Sequence, residues 1–320
     1  MAETTRRVRV RRKTVDAQDV CSFELVGLNG ERLPAFSAGA HVDVYLSAAL
    51  VRQYSLSSSF ADSDCYVISV LLDKGGRGGS RAMHDLMEDD TLEIGEPRNH
   101  FPLVPGAAHS LLLAGGIGIT PILCMAEELS SAGASFDLHY CARSVSRMAF
   151  QDRIRESQFS DNARFHFDDG HPGQKLDIAE ALRNSRPRSH LYVCGPQGFI
   201  NAVLEAARNI GWPDANLHYE FFGAAPAQRE QGMAFEIELA RSGSVYRVPP
   251  NKSVVQVLRE VGVIVPTSCE QGVCGTCATR VLEGEPDHRD LFLTPEEHRA
   301  NDQFLPCCSR SKSARLVLDL

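Results

Sequence analysis

The stretch Cys269-Glu-Gln-Gly-Val-Cys274-Gly-Thr-Cys277 decides how the C-terminal part of the chain is built. With a fourth cysteine downstream, at Cys307 or Cys308, the spacing is C-x4-C-x2-C…C, the set that wraps a plant-type [2Fe–2S] cluster. Three thiolates on one loop face the same pair of irons only if the backbone turns sharply. Gly272 and Gly275, free of the steric penalty on unusual backbone angles, stand where the turns are needed. A structural zinc site pairs C-x2-C with a second C-x2-C or a histidine pair, so this spacing argues against zinc. The chain is therefore read as a carrier of single electrons. Spacing alone leaves Cys307 and Cys308 as alternatives for the last ligand.

Around this loop the rhythm is that of a small α+β domain. Met233–Ala240 and Val245–Val248 read as a hairpin, and Ser253 caps a helix with Val254, Val257, Leu258 and Val261 on one face. Thr294-Pro295-Glu-Glu297 has the form of a capping box, and Leu316–Leu320 reads as a closing strand. Upstream, Gly223–Gly232 is small, polar and proline-bearing, so an interdomain linker is placed at 226–232.

The rest of the chain has two further rhythms. Up to about residue 105, short alternating runs such as Cys21–Val26, His41–Leu46 and Cys65–Leu72 predict an antiparallel β-barrel. From 106 to 225, apolar runs at Leu111–Ala114, Phe136–Cys141, Arg164–Phe167, His190–Cys194 and Leu217–Phe222 alternate with helical patterns. That alternation predicts an α/β domain with a parallel sheet. Helices are expected at Ile122–Leu129, Phe150–Glu156, Ile178–Arg183 and Phe199–Ile210.

A chain of 320 residues exceeds the usual size of one core. Its longest apolar runs fall far short of the roughly 20 residues that span a bilayer, so no membrane is expected. The first residues lack the apolar core of a signal peptide, and ten cysteines in a chain this long fit a reducing cytoplasm. A formal net charge of −8 disfavours nucleic acid as a partner.

Arg52-Gln-Tyr54-Ser55 follows the strand at Val42–Leu46. Gly75-Gly-Arg77-Gly-Gly79-Ser80 then precedes a helical pattern, Arg81–Met87; the bland alternative is a mobile glycine turn capped by Ser80. Glycines before a helix leave backbone N–H groups open to an anion, and Arg52 supplies a guanidinium, so a phosphate site is expected. A second glycine turn, Gly115-Gly116-Ile-Gly118-Ile-Thr120-Pro121, departs from the G-x-G-x-x-G fingerprint at Pro121. A third, Cys194-Gly195-Pro196, ends the fourth strand of the α/β domain. Two glycine-rich strand ends on one sheet make a crevice, where open α/β sheets bind ligands.

Taken in this order, the motifs resemble the phthalate dioxygenase reductase family, and within it the reductase components of aromatic O-demethylases. The resemblance runs over essentially the whole chain. It implies FMN in the barrel domain (1–105), NADH in the α/β domain (106–225) and a β-grasp ferredoxin domain with its [2Fe–2S] cluster (233–320). It also implies a terminal Rieske non-heme iron oxygenase as partner. On the residues, it implies Tyr54 against the flavin ring and Ser55 near its N5. Arg52, Gly79 and Ser80 would hold the phosphate, with Arg77 as a further clamp. Gly115, Gly116 and Gly118 would lie at the pyrophosphate, with Thr120 as helix N-cap. Cys194, Gly195 and Pro196 would lie beside the nicotinamide. Phe222, in the acidic-x-aromatic segment Glu220-Phe221-Phe222, would cover the flavin, and Cys307 would be the fourth iron ligand because a Ser-Arg follows its neighbour.

Arg143, Ser144 and Arg147 after the second strand are compatible with a 2′-phosphate, so local chemistry leaves NADPH open beside the NADH of the family. Glu270 and Glu283 near the cysteine loop suggest steering toward a basic partner. Two other readings are an iron–sulfur redox sensor and a self-contained flavin oxygenase. The first lacks a basic patch. For the second, no 2-His-1-carboxylate pattern is evident in the order of the eleven histidines.

Overall fold

Along β1 (Thr5–Ala17), Val8 and Val10 are buried while Arg7 and Arg11 face solvent, the period-two alternation of a half-buried strand. The other strands of the sheet are β2 (Val20–Gly27), β3 (Ala40–Ser47), β4 (Leu50–Ser55), β5 (Tyr66–Leu71) and β6 (Thr91–Gly95), of which β3 is buried continuously from Ala40 to Val44. Their order in the antiparallel sheet is β4-β3-β6-β1-β2-β5, with the short β7 (Arg98–Asn99) on β3. The ends of the sheet meet. Leu56 bridges Ile68, and the Ser57 N–H donates to Val67 O at 2.8 Å, so the sheet curls into a barrel around Phe23, Leu25, Val42, Val44 and Ile68. The computed structural model describes residues 5–47, 50–58, 64–76, 78–185, 188–222, 233–267, 269–270 and 272–320. Arg77 and the linker at 226–232 lie outside the described residues.

One helix belongs to the barrel, α1 (Gly79–Asp85). Gly78, in the left-handed region at φ 87°, precedes it without a side-chain cap. Ser80 is therefore not a helix cap. It sits inside the first turn, where its Oγ accepts the Asp73 N–H at 3.0 Å.

The following segment is a five-stranded parallel sheet of order β10-β9-β8-β11-β12. Its strands are β8 (His109–Gly115), β9 (Phe136–Ala142), β10 (Ala163–Phe167), β11 (Ser189–Gly195) and β12 (Leu217–Phe221). Helices α2 (Ile119–Ser131) and α3 (Gln151–Arg155) pack on one face with Leu112, Leu138 and Tyr140. Helices α4 (Ile178–Arg183) and α5 (Gln197–Asn209) pack on the other with Leu111, Leu191 and Val193. Every residue from Ile119 to Ala126 is buried. A helix apolar on all sides is covered on all sides, and here the barrel supplies the second cover: Cys124 Sγ donates to Ser58 O at 3.4 Å and Glu128 Oε2 accepts the Ala38 N–H at 3.0 Å. Barrel and α/β sheet accordingly share one unit, Met1–Phe222.

The second unit, Gly223–Leu320, is organised by a mixed sheet of order β14-β13-β19-β15-β17. Its strands are β13 (Phe235–Leu239), β14 (Ser244–Val248), β15 (Thr279–Glu283), β17 (Gln303–Phe304) and β19 (Arg315–Leu318), and a separate pair joins β16 (Pro286–Asp287) to β18 (Arg310–Ser311). Strand β19 runs parallel to β13 and antiparallel to β15, and α6 (Val254–Glu260) buries Val254, Val257 and Leu258 in the core of this unit, as expected of a β-grasp domain. Ser253 and Thr294 each form the expected capping box, at α6 and at α7 (Pro295–Ala300). Among the described residues no helix is long and apolar enough to cross a membrane.

Candidate functional site

Arg52, Tyr54 and Ser55 lie on β4, opposite Val44, Val42 and His41 of β3. The Arg52 side chain crosses the start of α1. A methyl group at Gly79 would stand 2.6 Å from Arg52 Cγ and 2.7 Å from Nε, so only glycine allows the guanidinium stem to lie there. Arg52 and the glycine turn are thus brought together as the sequence suggested. A guanidinium beside open backbone N–H groups at a helix start has the donor chemistry for a phosphate. Tyr54 is half-buried, and burial pushes its hydroxyl well above the usual range.

On the α/β side the strand ends touch backbone to backbone. A methyl at Gly118 would sit 2.4 Å from the carbonyl carbon and oxygen of Cys194, and one at Gly195 would sit 2.9 Å from Gly115 Cα. Gly116, at φ 55°, has open space where a side chain would be. A ligand can therefore approach the main chain at Gly116. Thr120 is not the helix N-cap; Gly118 is, and the Thr120 hydroxyl donates back to Ile117 O at 3.1 Å. Arg147 is held 3.7 Å from Asp19.

The two halves of this unit meet at Glu220. It stands in register with Cys194 across β11 and β12, and its carboxyl is hydrogen-bonded to Ser55 of the barrel. Burial pushes Glu220 up to about 8, against the pull of Ser55, and among the described residues Oε2 has no hydrogen-bond partner. His41 Nδ1 lies 4.0 Å from Oε1, but burial, the Arg98 charge and His100 push that imidazole down to about 4. The contact at neutral pH is between two uncharged groups rather than an ion pair. Cys194 is fully buried, and burial with the neighbouring Glu220 keeps its thiol protonated. Phe222, just past the end of β12, is exposed. Ser55, Cys194 and Glu220 are therefore brought together. The chemistry of Glu220 is not legible in the sequence, where its place in the acidic-x-aromatic segment is the signal available.

In the second unit, Gly272 and Gly275 take left-handed angles of φ 77° and 71°, as the loop required. A methyl at Gly272 would lie 2.5 Å from Cys308 Sγ and 3.1 Å from Asp290 Cα, and one at Gly275 would enter the Phe292 ring. Cys269, Cys277 and Cys307 are buried. The Cys269 thiol and the Thr276 hydroxyl pull Cys274 down to about 5 in spite of its burial, while the Cys277 side chain beside Cys307 pushes Cys307 up. Crowded buried sulfurs of this kind lose their protons together only when a cation replaces them, so the set fits an iron–sulfur cluster. Cys308 Sγ donates to Leu305 O at 3.6 Å. The other cysteines outside both sites, Cys21, Cys65, Cys124 and Cys141, form no disulfide.

Comparison with known proteins agrees with this geometry. Residues 237–312 match the 2Fe-2S iron-sulfur cluster binding domain and residues 112–205 the oxidoreductase NAD-binding domain. The chain is 53% identical over 307 residues to a vanillate O-demethylase oxidoreductase of Pseudomonas putida, covering 95% of this chain and 96% of that one. It is 40% identical over 316 residues to the phthalate dioxygenase reductase of Burkholderia cepacia, covering 98% and 97%. A solved phthalate dioxygenase reductase structure superposes with a TM-score of 0.81 at 40% identity, covering 99% of this chain and 98% of that one. The fold and its sites define a modular flavin and iron–sulfur oxidoreductase. The chain belongs to the phthalate dioxygenase reductase family. It is an NADH-dependent electron-transfer component of an oxygenase system, with FMN and a [2Fe–2S] cluster as cofactors.

Cys307→Ser should abolish the cluster and Cys308→Ser should leave it, as read by iron and acid-labile sulfide per chain; the reverse pattern would exchange the two assignments. A second expectation follows from Glu220. Between its unfolded value near 4.5 and its folded value of about 8, the folded protein holds a proton that the unfolded chain has released. Stability therefore falls as pH rises through that window, by about 1.36 kcal/mol per pH unit, and levels off above it. Denaturant midpoints read by flavin release should show this decline in the native protein and a flatter profile in Glu220→Gln.

Proposed function

We propose that the oxygenase served by this chain is a Rieske non-heme iron enzyme acting on an aromatic acid, by O-demethylation or hydroxylation. The observation that carries this reading is the joining of a barrel with its anion turn, a nucleotide crevice and a four-cysteine loop on one chain. Such a chain needs no separate small ferredoxin. The activities by which the relatives are named, vanillate O-demethylation and phthalate dioxygenation, supply the substrate class.

In this reading residues 1–105 hold FMN, 106–225 hold the nucleotide and 233–320 hold the cluster. Arg52, Gly79 and Ser80 grip the flavin phosphate, with Arg77 beside them, and Tyr54 and Ser55 line the ring. Gly115, Gly116, Gly118 and Thr120 admit the pyrophosphate, and Cys194, Gly195 and Pro196 flank the nicotinamide. Phe222 shields the ring face until the nucleotide arrives. A flavin held by these residues would supply the conversion of a two-electron hydride from NADH into the single electrons that a cluster takes.

The chain's own part is positional. Ser55 and Glu220 place a hydroxyl and a protonated carboxyl at the junction of the two sheets, and the raised affinity of Glu220 keeps a proton there at neutral pH. Cys194 keeps its proton and presents a small uncharged surface. Cys269, Cys274, Cys277 and Cys307 bind the irons. The partner contact is proposed at the exposed rim of the cysteine loop, where Phe292 is 44% exposed. Glu270 contributes less charge there than its sequence position suggested, because Arg259 pairs with it at 2.7 Å. Ten cysteines with no disulfide among them support a reducing cytoplasm as the compartment.

Anaerobic titration with NADH, followed by absorption and EPR, should deliver three electrons per chain, two to the flavin and one to the cluster. A cluster that stays oxidised would refute the route. For the partner, the purified protein mixed with a Rieske aromatic-acid oxygenase should drive NADH-dependent product formation. Turnover only with an added ferredoxin would overturn direct transfer.

A further inference from the structure

Beside the cysteine loop, three side chains distinct from the thiols converge. One ligand atom each from His288, Asp290 and His298 lies within 4.8 Å of the other two. Asp290 Oδ1 is 3.7 Å from His288 Nδ1, and Oδ2 is 3.1 Å from His298 Nε2. The Asp290 side chain is fully buried, His288 is 8% exposed and His298 is 31% exposed.

His298 Nε2 and Asp290 Oδ2 share a hydrogen bond at 3.1 Å, whose proton a metal ion would replace, while His288 Nδ1 is left unsatisfied. His288 Nε2 lies 3.2 Å from Asn301 Oδ1, an acceptor, so this nitrogen carries the ring proton and Nδ1 is left with its lone pair. Nδ1 is buried, has no hydrogen-bond partner among the described residues, and faces a carboxylate oxygen. Two electron pairs facing each other in a buried place repel unless a proton or a metal cation lies between them. A histidine that donates its other ring N–H to a side-chain carbonyl is the arrangement that holds an imidazole on a metal ion. Asp290 is oriented in the same manner, by the Leu293 N–H at 2.8 Å on Oδ2 and the Ser309 hydroxyl at 3.3 Å on Oδ1.

We propose that His288, Asp290 and His298 form a binding site for a divalent transition-metal ion of the zinc class, separate from the cysteine cluster. Two imidazoles and one carboxylate select such an ion over calcium or magnesium, which prefer oxygen donors. Ligands at about 2.0 Å from zinc stand roughly 3.3 Å apart in a tetrahedron, near the two spacings to Asp290. The two imidazole rings stack with their centroids 4.4 Å apart, and His298 is the more exposed of them.

The ion would tie α7 to the segment that backs the cysteine loop. Leu291 N–H donates to Gly272 O at 2.9 Å, and Arg289 N–H donates to Ser309 Oγ at 3.1 Å.

The test uses the full holoprotein, titrated anaerobically with zinc ion alone, with iron and sulfide measured before and after. One zinc should bind per chain with the iron retained, and His298→Ala should bind it at least tenfold more weakly at unchanged iron content. Absorption fine structure at the zinc edge, which iron does not obscure, should show nitrogen and oxygen neighbours only. Failure to bind one equivalent, equal affinity in His298→Ala, or sulfur neighbours near 2.3 Å would each overturn the proposal, the last by placing zinc on the cluster cysteines. Should the variant lose iron, the edge spectrum of the native protein decides alone.

Discussion

The contact between glycine backbones at the ends of β8 and β11 is the constraint on which the first unit depends. With no side chain at Gly118, that turn presses onto the carbonyl of Cys194, and with none at Gly195 the next turn presses onto Gly115. Two parallel strands that end this closely leave a cleft floored by main chain, with Gly116 facing open space. Larger residues at either position would push the turns apart by more than the packing of α2 tolerates, since that helix is buried from Ile119 to Ala126 between the sheet and the barrel.

The same closeness governs the electrostatics. The sheet end abuts the barrel, so Glu220 reaches Ser55 and loses water, and a carboxyl without water holds its proton. His41 is driven the opposite way by the same burial and by Arg98. The junction therefore holds a carboxyl and an imidazole that are both uncharged at neutral pH, while the charged Arg52 stands farther along β4 beside the glycine turn before α1.

In the second unit the governing constraint is crowding of sulfur. The loop turns at left-handed Gly272 and Gly275, Cys269 meets Cys274 and Cys277 meets Cys307, and the segment through Asp290 packs closely against Gly272. Cluster loop, Asp290 segment and α7 form one interlocked piece, held by Leu291, Ser309 and the capping box at Thr294.

The cysteine spacing, the barrel and α/β rhythms and the capping boxes are legible in the chain because each rests on local periodicity or on residues a few positions apart. Element ends are less so. Helix α2 starts at Ile119, before the Thr120 that the motif suggested as its cap, because burial against sheet and barrel extends the helix back to Gly118, and Ser80 lies inside the turn that Gly78 opens. The order of modules, the four cysteines and the glycine turns are thus written along the chain. Packing in three dimensions was needed to join barrel and sheet into one unit, to seal Glu220 as a protonated carboxyl, and to bring His288, Asp290 and His298 together. Burial and long-range approach are properties of strands and loops packed from distant parts of the chain, and no spacing between residues encodes the water they exclude.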